Sequence, residues 1–557
     1  MVEEDLATDE GLSTAEAPDA QVADRGFGRH TTVMSIGTTV SRLTGMLRVT
    51  ATTAALGYFA VADTYTAANT TPNIVYELVL GGVLTSVFVP VFVGWATEHG
   101  REASWDVAQR MLTLALVGLT AIATLVGVFA PAVLRLYLTG SSAPDVEAQI
   151  ELGTYFLRWF MPQIVFYGIG AIATGVLNAE RRFGVPMFAP VLNNLAVIVT
   201  MVLFVAVGEE GPSRVAEVSS LQRSLLAAGT TLGVVAMTVA LWPSLHRLGF
   251  RWKWRFDWRH PAIATLLRLA RWTIVYVVAN QLAYLLVIVL NARIGEGALF
   301  AYAQAFIFFQ LPHSIFAVSV FTALMPGMSE RHTQGDTDEV RRLWSRGIRT
   351  TIAVMVPATL AYLALAEPIL RLFAEYGAAR ADGVELAATA LRGFAIGLPF
   401  FSAFQLLTRT SYAMQDARTP ALVNVGAAIV NAAVNLLLTV GLGVGVGGLA
   451  LGHAASYVVG SLVLAMIMRR RLGGLDGRRI AGMVARLTPV ATLCAAAALG
   501  VATLIERGLG VASAGARAAQ VGAAVFAGLL VFGIGTLIFR IEEVDEVRKA
   551  VTRRFRG

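Results

Sequence analysis

Two arginines stand out in the sequence because their surroundings are wrong for them. Arg42 and Arg48 lie in an otherwise apolar and hydroxylic stretch, Ser41-Arg-Leu-Thr-Gly-Met-Leu-Arg48, that reads as a membrane-spanning helix. Each guanidinium costs about 2.5–3.5 kcal/mol at the centre of an inserted helix, so each must face a cavity or a partner. Six residues apart, the two lie about 120° from one another around an ideal helix. Gly45 between them permits a bend. A guanidinium stays charged and makes bidentate bonds to phosphate oxygens, which suits a pyrophosphate-bearing lipid. The alternative is a pair of structural salt bridges, with Asp63 or Glu77 as partners. Asp63 opens the next span and Glu77 lies within it, after Pro72-Asn73. Either carboxylate could carry a coupling proton, and either could balance the arginines. Asn431 and Asn435, spaced i, i+4, could ligate a cation, although such amides more often join helices by hydrogen bonds. Gln304, Gln310 and His313 are weaker candidates, and His313 reads best as a satisfied interior histidine.

These residues require a membrane to sit in. Hydrophobic residues make up 56% of the 557 positions and the mean hydropathy is +0.65, beyond the roughly half-apolar average of soluble domains. They lie in blocks long enough to cross a hydrocarbon core of about 30 Å as helices. We place fourteen spans, near 32–57, 66–95, 108–137, 153–177, 186–207, 223–245, 268–293, 298–328, 348–373, 386–413, 420–441, 447–469, 485–505 and 518–540. The fold class is therefore all-α and integral to the membrane. Residues 1–30 read as a disordered acidic tail, and 542–557 as a basic one. The single cysteine, Cys494, excludes an internal disulfide framework.

Positive charge is almost all arginine, Lys253 and Lys549 being the only lysines. It clusters in alternate connections: Arg247 to Arg271, Arg331 to Arg349, Arg469 to Arg479, and the C-terminal Arg548 to Arg556. The intervening loops carry Asp145 and Glu147, then Glu209 and Glu210, or no charge at 441–447. This alternation puts both termini in the cytoplasm, and it accounts for a net charge of +7 without nucleic acid.

The chain also repeats itself at a shift of about 237 residues. Pro72 pairs with Pro312, Pro90 with Pro326, Pro131 with Pro368, Pro162 with Pro399 and Pro186 with Pro420. The shift spans six helices, so the halves share one orientation and should enclose a cavity near the midplane. The expected organisation is an N-terminal lobe (31–247), a basic linker and C-terminal lobe (248–472), and two added helices (473–541). Prolines such as Pro72 and Pro312 kink helices and are candidate hinges. We find no metal cluster, P-loop or nucleophile motif. A transporter driven by H+, Na+ or the membrane potential is expected, not an enzyme.

Four ordered stretches resemble the MurJ (MviN) family, the lipid II flippases of the multidrug/oligosaccharidyl-lipid/polysaccharide exporter superfamily. They are Ser41 to Arg48 with Gly57 and Asp63; Pro72-Asn73 leading to Phe88-Val-Pro90; Leu177-Asn178 to Phe183 with Pro186, Pro190 and Asn193; and Tyr412 to Pro420 with Asn431. The arginine-rich composition fits an actinobacterial member. The resemblance implies an undecaprenyl-pyrophosphate-linked disaccharide pentapeptide as substrate, moved by alternating access during cell-wall synthesis. It also implies that Arg42, Arg48 and Asp63 are required for that activity, and these three with Asn73 are the expected substrate-binding residues. This chain departs from the family pattern at two places: Tyr76 and Glu77 replace an arginine pair, and Ile307 replaces an eighth-span arginine, with Gln310 following. Other readings are a flippase for another polyprenyl-linked glycan, a drug exporter of the same fold, or a non-transporting scaffold for cell-wall or division proteins.

Overall fold

The computed structural model describes residues 18–81, 88–208, 214–539, 541 and 543. The expected tails at 1–17 and 544–557, and the Glu209–Glu210 loop, lie outside them. Among the described residues twelve helices are long and apolar enough to cross a membrane. They are Arg101–Val128, Val146–Ala179, Gly184–Val207, Ser220–Arg247, Pro261–Ile294, Ala298–Thr333, Thr337–Ala374, Ala381–Ala413, Arg418–Gly441, Val446–Arg471, Gly477–Gly508 and Ala514–Ile538. Each coincides with one of the expected third to fourteenth spans. The first span is the helix Pro18–Leu56, rich in threonine and carrying both arginines, and the second starts as Ala60–Tyr76. The first helix begins well before residue 32, so residues 18–30, read from sequence as tail, are helical. A helix satisfies its own backbone hydrogen bonds and can continue past its apolar block.

The repeat is written into the backbone. Pro72 and Pro312 each precede a π-helical turn, Glu77–Gly81 and His313–Ala317, and the Phe308 carbonyl that Pro312 leaves without its intrahelical donor accepts from the Tyr362 hydroxyl at 2.6 Å. Arg181 and Gln415 are left-handed non-glycine residues, and each ends a helix in its own half. Gly140 and Gly377 have positive φ at corresponding turns. Equivalent breaks at a shift near 237 residues mean that the two halves fold by the same local rules.

The last two spans pack on the ninth. Arg371 bonds Glu506 at 2.8 Å, and the guanidinium of Arg517 donates to the carbonyl of Glu375. Cys494 faces Gly528, where an added Cβ would lie 3.2 Å from its sulfur. The lone thiol therefore fills a close helix–helix contact.

Candidate functional site

Two adjoining chambers lie between the halves. The first, about 430 Å³, is lined by Arg48 and Thr52 of the first span, Asn69, Thr70 and Asn73 of the second, Tyr167, Asn193, and Gln304 and Ile307 of the eighth. The second, about 360 Å³, includes Thr70, Asn73 and Glu77, with Asn280, Tyr284, Asn424, Asn431, His453 and Tyr457 from the C-terminal half. Thr70 and Asn73 border both. Amides and hydroxyls dominate the polar lining, and Arg48 brings a fixed positive charge.

Arg42 and Arg48 part company. Arg48 lines the chamber, and its guanidinium has no hydrogen-bond or ion-pair partner among the described residues. Arg42 reaches across the molecule instead, donating to Ser314 Oγ of the eighth span at 2.6 Å. Neither arginine pairs with Asp63 or Glu77 among the described residues, so the structural salt-bridge reading does not hold here. Of the positions where the family pattern places arginine, Glu77 brings a carboxylate to the second chamber, and the other two are filled by apolar and aromatic contacts. Ile307 borders the Arg48 chamber, and Tyr76 lies 5.8 Å, ring to ring, from Tyr167.

Asp63, expected among the substrate-binding residues, does not line the chambers, because its carboxylate is spent on a helix start. It borders a separate pocket of about 220 Å³ with Glu296. Its two carboxylate oxygens accept from the backbone N–H groups of Gly297 (2.7 Å) and Phe300 (2.8 Å). Those amides begin the eighth span, whose helix starts at Ala298. The first turn of a helix has no intrahelical acceptors for its N–H groups and carries partial positive charge, so a carboxylate is well placed there. The cap spans more than 230 residues of sequence and ties one half to the other.

A seal surrounds it. Ala378 N donates to Ala54 O at 2.8 Å. The Tyr58 hydroxyl donates to Gln304, which itself donates to Thr53 Oγ1 at 2.7 Å. The Tyr58 ring meets Phe300 edge-on at 5.5 Å, and Arg293 bonds the carbonyl of Thr139 at 3.1 Å. Gly297 and Gly383 allow this closeness: a Cβ would lie 2.3 Å from Tyr58 O and from the Tyr58 ring, respectively. The seal joins the turns after the first, third, seventh and ninth spans, which the arginine pattern assigns to the outer face.

Asn73 is exposed to the chambers, and its side chain also donates to Asn69 O at 3.2 Å. Asn435 donates to Asn431 Oδ1 at 2.9 Å. Asn431 borders the second chamber, but Asn435 is fully buried against Gly452. The pair thus spends one donor and one acceptor on a bond within the eleventh span itself, which joins it to no other helix. His313 bonds Ser402 at 2.9 Å, as expected of a satisfied interior histidine. Among the described residues, no three His, Cys, Asp or Glu side chains are grouped to hold a metal.

Sequence reasoning missed the cluster at His453, where Phe306, Phe309, Phe394, Phe401 and Tyr457 all lie within ring-contact distance. Its members come from the eighth, tenth and twelfth spans; helical spacing relates those within each span, but nothing in the chain relates one span's rings to another's. It also missed the seal, although Gly295-Glu-Gly297 marked the helix start that Asp63 caps.

A polytopic bundle of two like-oriented six-helix lobes, sealed at one end around polar chambers, defines a membrane transporter. The chain belongs to the lipid II flippase MurJ family, whose model it matches over residues 52–517. It is 28% identical over 438 residues to the lipid II flippase MurJ of Burkholderia cenocepacia, covering 78% of this chain and 82% of that one. It is 26% identical to the probable lipid II flippase MurJ of Thermotoga maritima, over 79% and 85% of the two chains. Among solved structures, a lipid II flippase MurJ in an inward closed conformation superposes with a TM-score of 0.73 at 20% identity, covering 92% of this chain and all of that one. An inward-facing multidrug resistance MATE transporter gives 0.64 at 14% identity, over 80% and 99%. These likenesses to solved structures speak for the fold.

Proposed function

We propose that this chain moves lipid II across the bacterial cytoplasmic membrane by alternating access, with both termini in the cytoplasm. One observation carries the reading: in a member of this family, Arg48 presents to a polar chamber between two lobes a guanidinium with no hydrogen-bond or ion-pair partner among the described residues. A fixed cation in a low-dielectric cavity attracts a pyrophosphate strongly and offers it bidentate hydrogen bonds. Asn73, beside it, supplies a neutral amide for the sugar or peptide portion. Arg42 supports the lobe contact at Ser314, and substrate phosphate would compete for its N–H groups.

Asp63 acts as a latch for the sealed end, so transport requires its two bonds to the eighth span to break and re-form. The sequence carries no P-loop motif to bring nucleotide hydrolysis to this step. A membrane potential, H+ or Na+ gradient is the energy source we propose, with Glu77, Asn431 and Asn435 as the groups a coupling ion would meet. Cell-wall synthesis or division proteins are the partners such an activity calls for.

The test is complementation of flippase-depleted cells, scored by precursor retained on the inner leaflet. Arg48→Ala should fail to rescue, Arg48→Lys should rescue weakly, and Arg42→Ala should fall between wild type and Arg48→Ala. Full rescue by both alanine variants would refute the phosphate-binding role. A protein that binds another polyprenyl-linked glycan but not lipid II would move the assignment to that cargo.

A further inference from the structure

The linker between the lobes carries a chemistry that flipping does not use. Residues 251–259 alternate strictly, Arg-Trp-Lys-Trp-Arg-Phe-Asp-Trp-Arg, and lie outside any helix. Trp254 and Trp258 are 61% and 63% exposed, and Trp252 and Phe256 are exposed too. Four large rings in a row are not left in water without a role.

The backbone of this strap is fastened to the third span. Gln109 donates to Arg251 O at 3.0 Å, and Thr113 Oγ1 accepts from Trp252 Nε1 (3.3 Å) and Arg255 N (3.2 Å). Arg255 pairs with Asp106 at 2.5 Å, and Arg110 pairs with both Asp106 and Asp257. Met111 begins the apolar run of that span, so the fastening sets the strap at the level where hydrocarbon gives way to headgroups. Tryptophan prefers that layer, with its ring apolar and its N–H polar.

The pairs also neutralise the strap selectively. Asp257, the only acid between Arg247 and Arg271, is consumed by Arg110, and Arg255 by Asp106. Arg251, Lys253 and Arg259 are left exposed, with Arg259 stacked at 5.1 Å over Trp258. Three cations and exposed rings at an interfacial depth complement a phosphate-rich surface with an apolar layer beneath.

We propose that the interlobe strap Arg251–Arg259 is a binding site for anionic phospholipid, its rings seated in the leaflet interface and Arg251, Lys253 and Arg259 holding headgroup phosphates. Because the seventh span starts at Pro261, directly after the strap, bound lipid fixes the point about which the second lobe pivots on the first.

The test uses the full chain in vesicles of phosphatidylcholine with or without phosphatidylglycerol, each lipid brominated in turn. Tryptophan quenching is compared between wild type and a Trp252→Phe/Trp254→Phe/Trp258→Phe variant, which isolates the strap signal. Brominated phosphatidylglycerol should quench the strap more than brominated phosphatidylcholine. In Arg251→Gln/Lys253→Gln/Arg259→Gln that preference should fall at least fivefold, the loss expected for about one interfacial charge. Arg251→Lys/Arg259→Lys should retain it, which separates charge from folding. An unchanged preference in the glutamine variant would overturn the proposal. So would strap tryptophans that neither lipid quenches, the result expected if a protein partner covers them.

Discussion

The Asp63 latch makes a quantitative demand on the conformational equilibrium. Its carboxylate accepts two backbone N–H groups at 2.7 and 2.8 Å, at the start of a helix in the opposite lobe. Hydrogen bonds to a charged group contribute a net of about 1.5–3 kcal/mol each. When the seal opens, water replaces part of both, so the difference between sealed and open states is smaller than their sum. A value of about 2–3 kcal/mol corresponds to a shift of roughly 30- to 140-fold in the ratio of the two states. Asp63→Ala should therefore populate the open form by that factor, and Asp63→Asn, which keeps one acceptor without the charge, by about the square root of it. The measurement is a spin-label distance distribution between Ser142→Cys and Asp382→Cys, exposed positions of opposite lobes at the sealed end, in a Cys494→Ser background. If Asp63→Ala leaves the ratio within twofold of wild type, the cap does not hold the seal.

Gly383→Ala should act in the same direction, because its Cβ would lie 2.3 Å from the Tyr58 ring and must displace it; the same label pair reads the opening, and an unchanged distribution would show that the ring is free to move. Gly452→Ala places a Cβ 1.9 Å from Asn435 Oδ1 and should lower the melting temperature of the purified protein by overpacking, at a cost of about 1–3 kcal/mol; a change below measurement error would count against this close helix contact. Outside the spans, burial pushes the Asp416 carboxyl up, but hydrogen bonds from Thr419 and from Arg471 outweigh it and hold the group below the usual carboxylate value. The sign follows: this stabilisation is present above the ordinary aspartate pKa and is lost as pH falls through the lowered one. Asp416→Asn should accordingly flatten the acid limb of the stability curve, and an identical limb in both proteins would rule the pair out as its source.

Much of the fold was readable in the chain because a membrane imposes a one-dimensional rule. Only helices and closed barrels satisfy the backbone's polar groups in lipid, and continuous apolar blocks of about 20 residues are too long for the roughly 10-residue strands of a barrel, so they must be helices. That rule located every span from the third to the fourteenth, and the proline shift revealed two lobes whose breaks then recurred in the backbone at Glu77–Gly81 and His313–Ala317. Arg42 and Arg48 announced themselves as charges in the wrong solvent. Their separate fates were not legible, because facing a cavity and facing a hydroxyl on another helix are equally good answers to the same desolvation cost. Only the packing of the eighth span against the first gave Arg42 to Ser314 and left Arg48 to the chamber. Asp63 teaches the same lesson. Sequence offered it as charge balance or a proton carrier, whereas the fold brought the bare amides of a helix start to it from more than 230 residues away. Local propensity and hydropathy are properties of neighbours in the chain, and they determined which segments cross the membrane and which residues needed an explanation. Partnership across the two lobes depends on three-dimensional approach, and the tertiary structure alone decided which explanation each residue received.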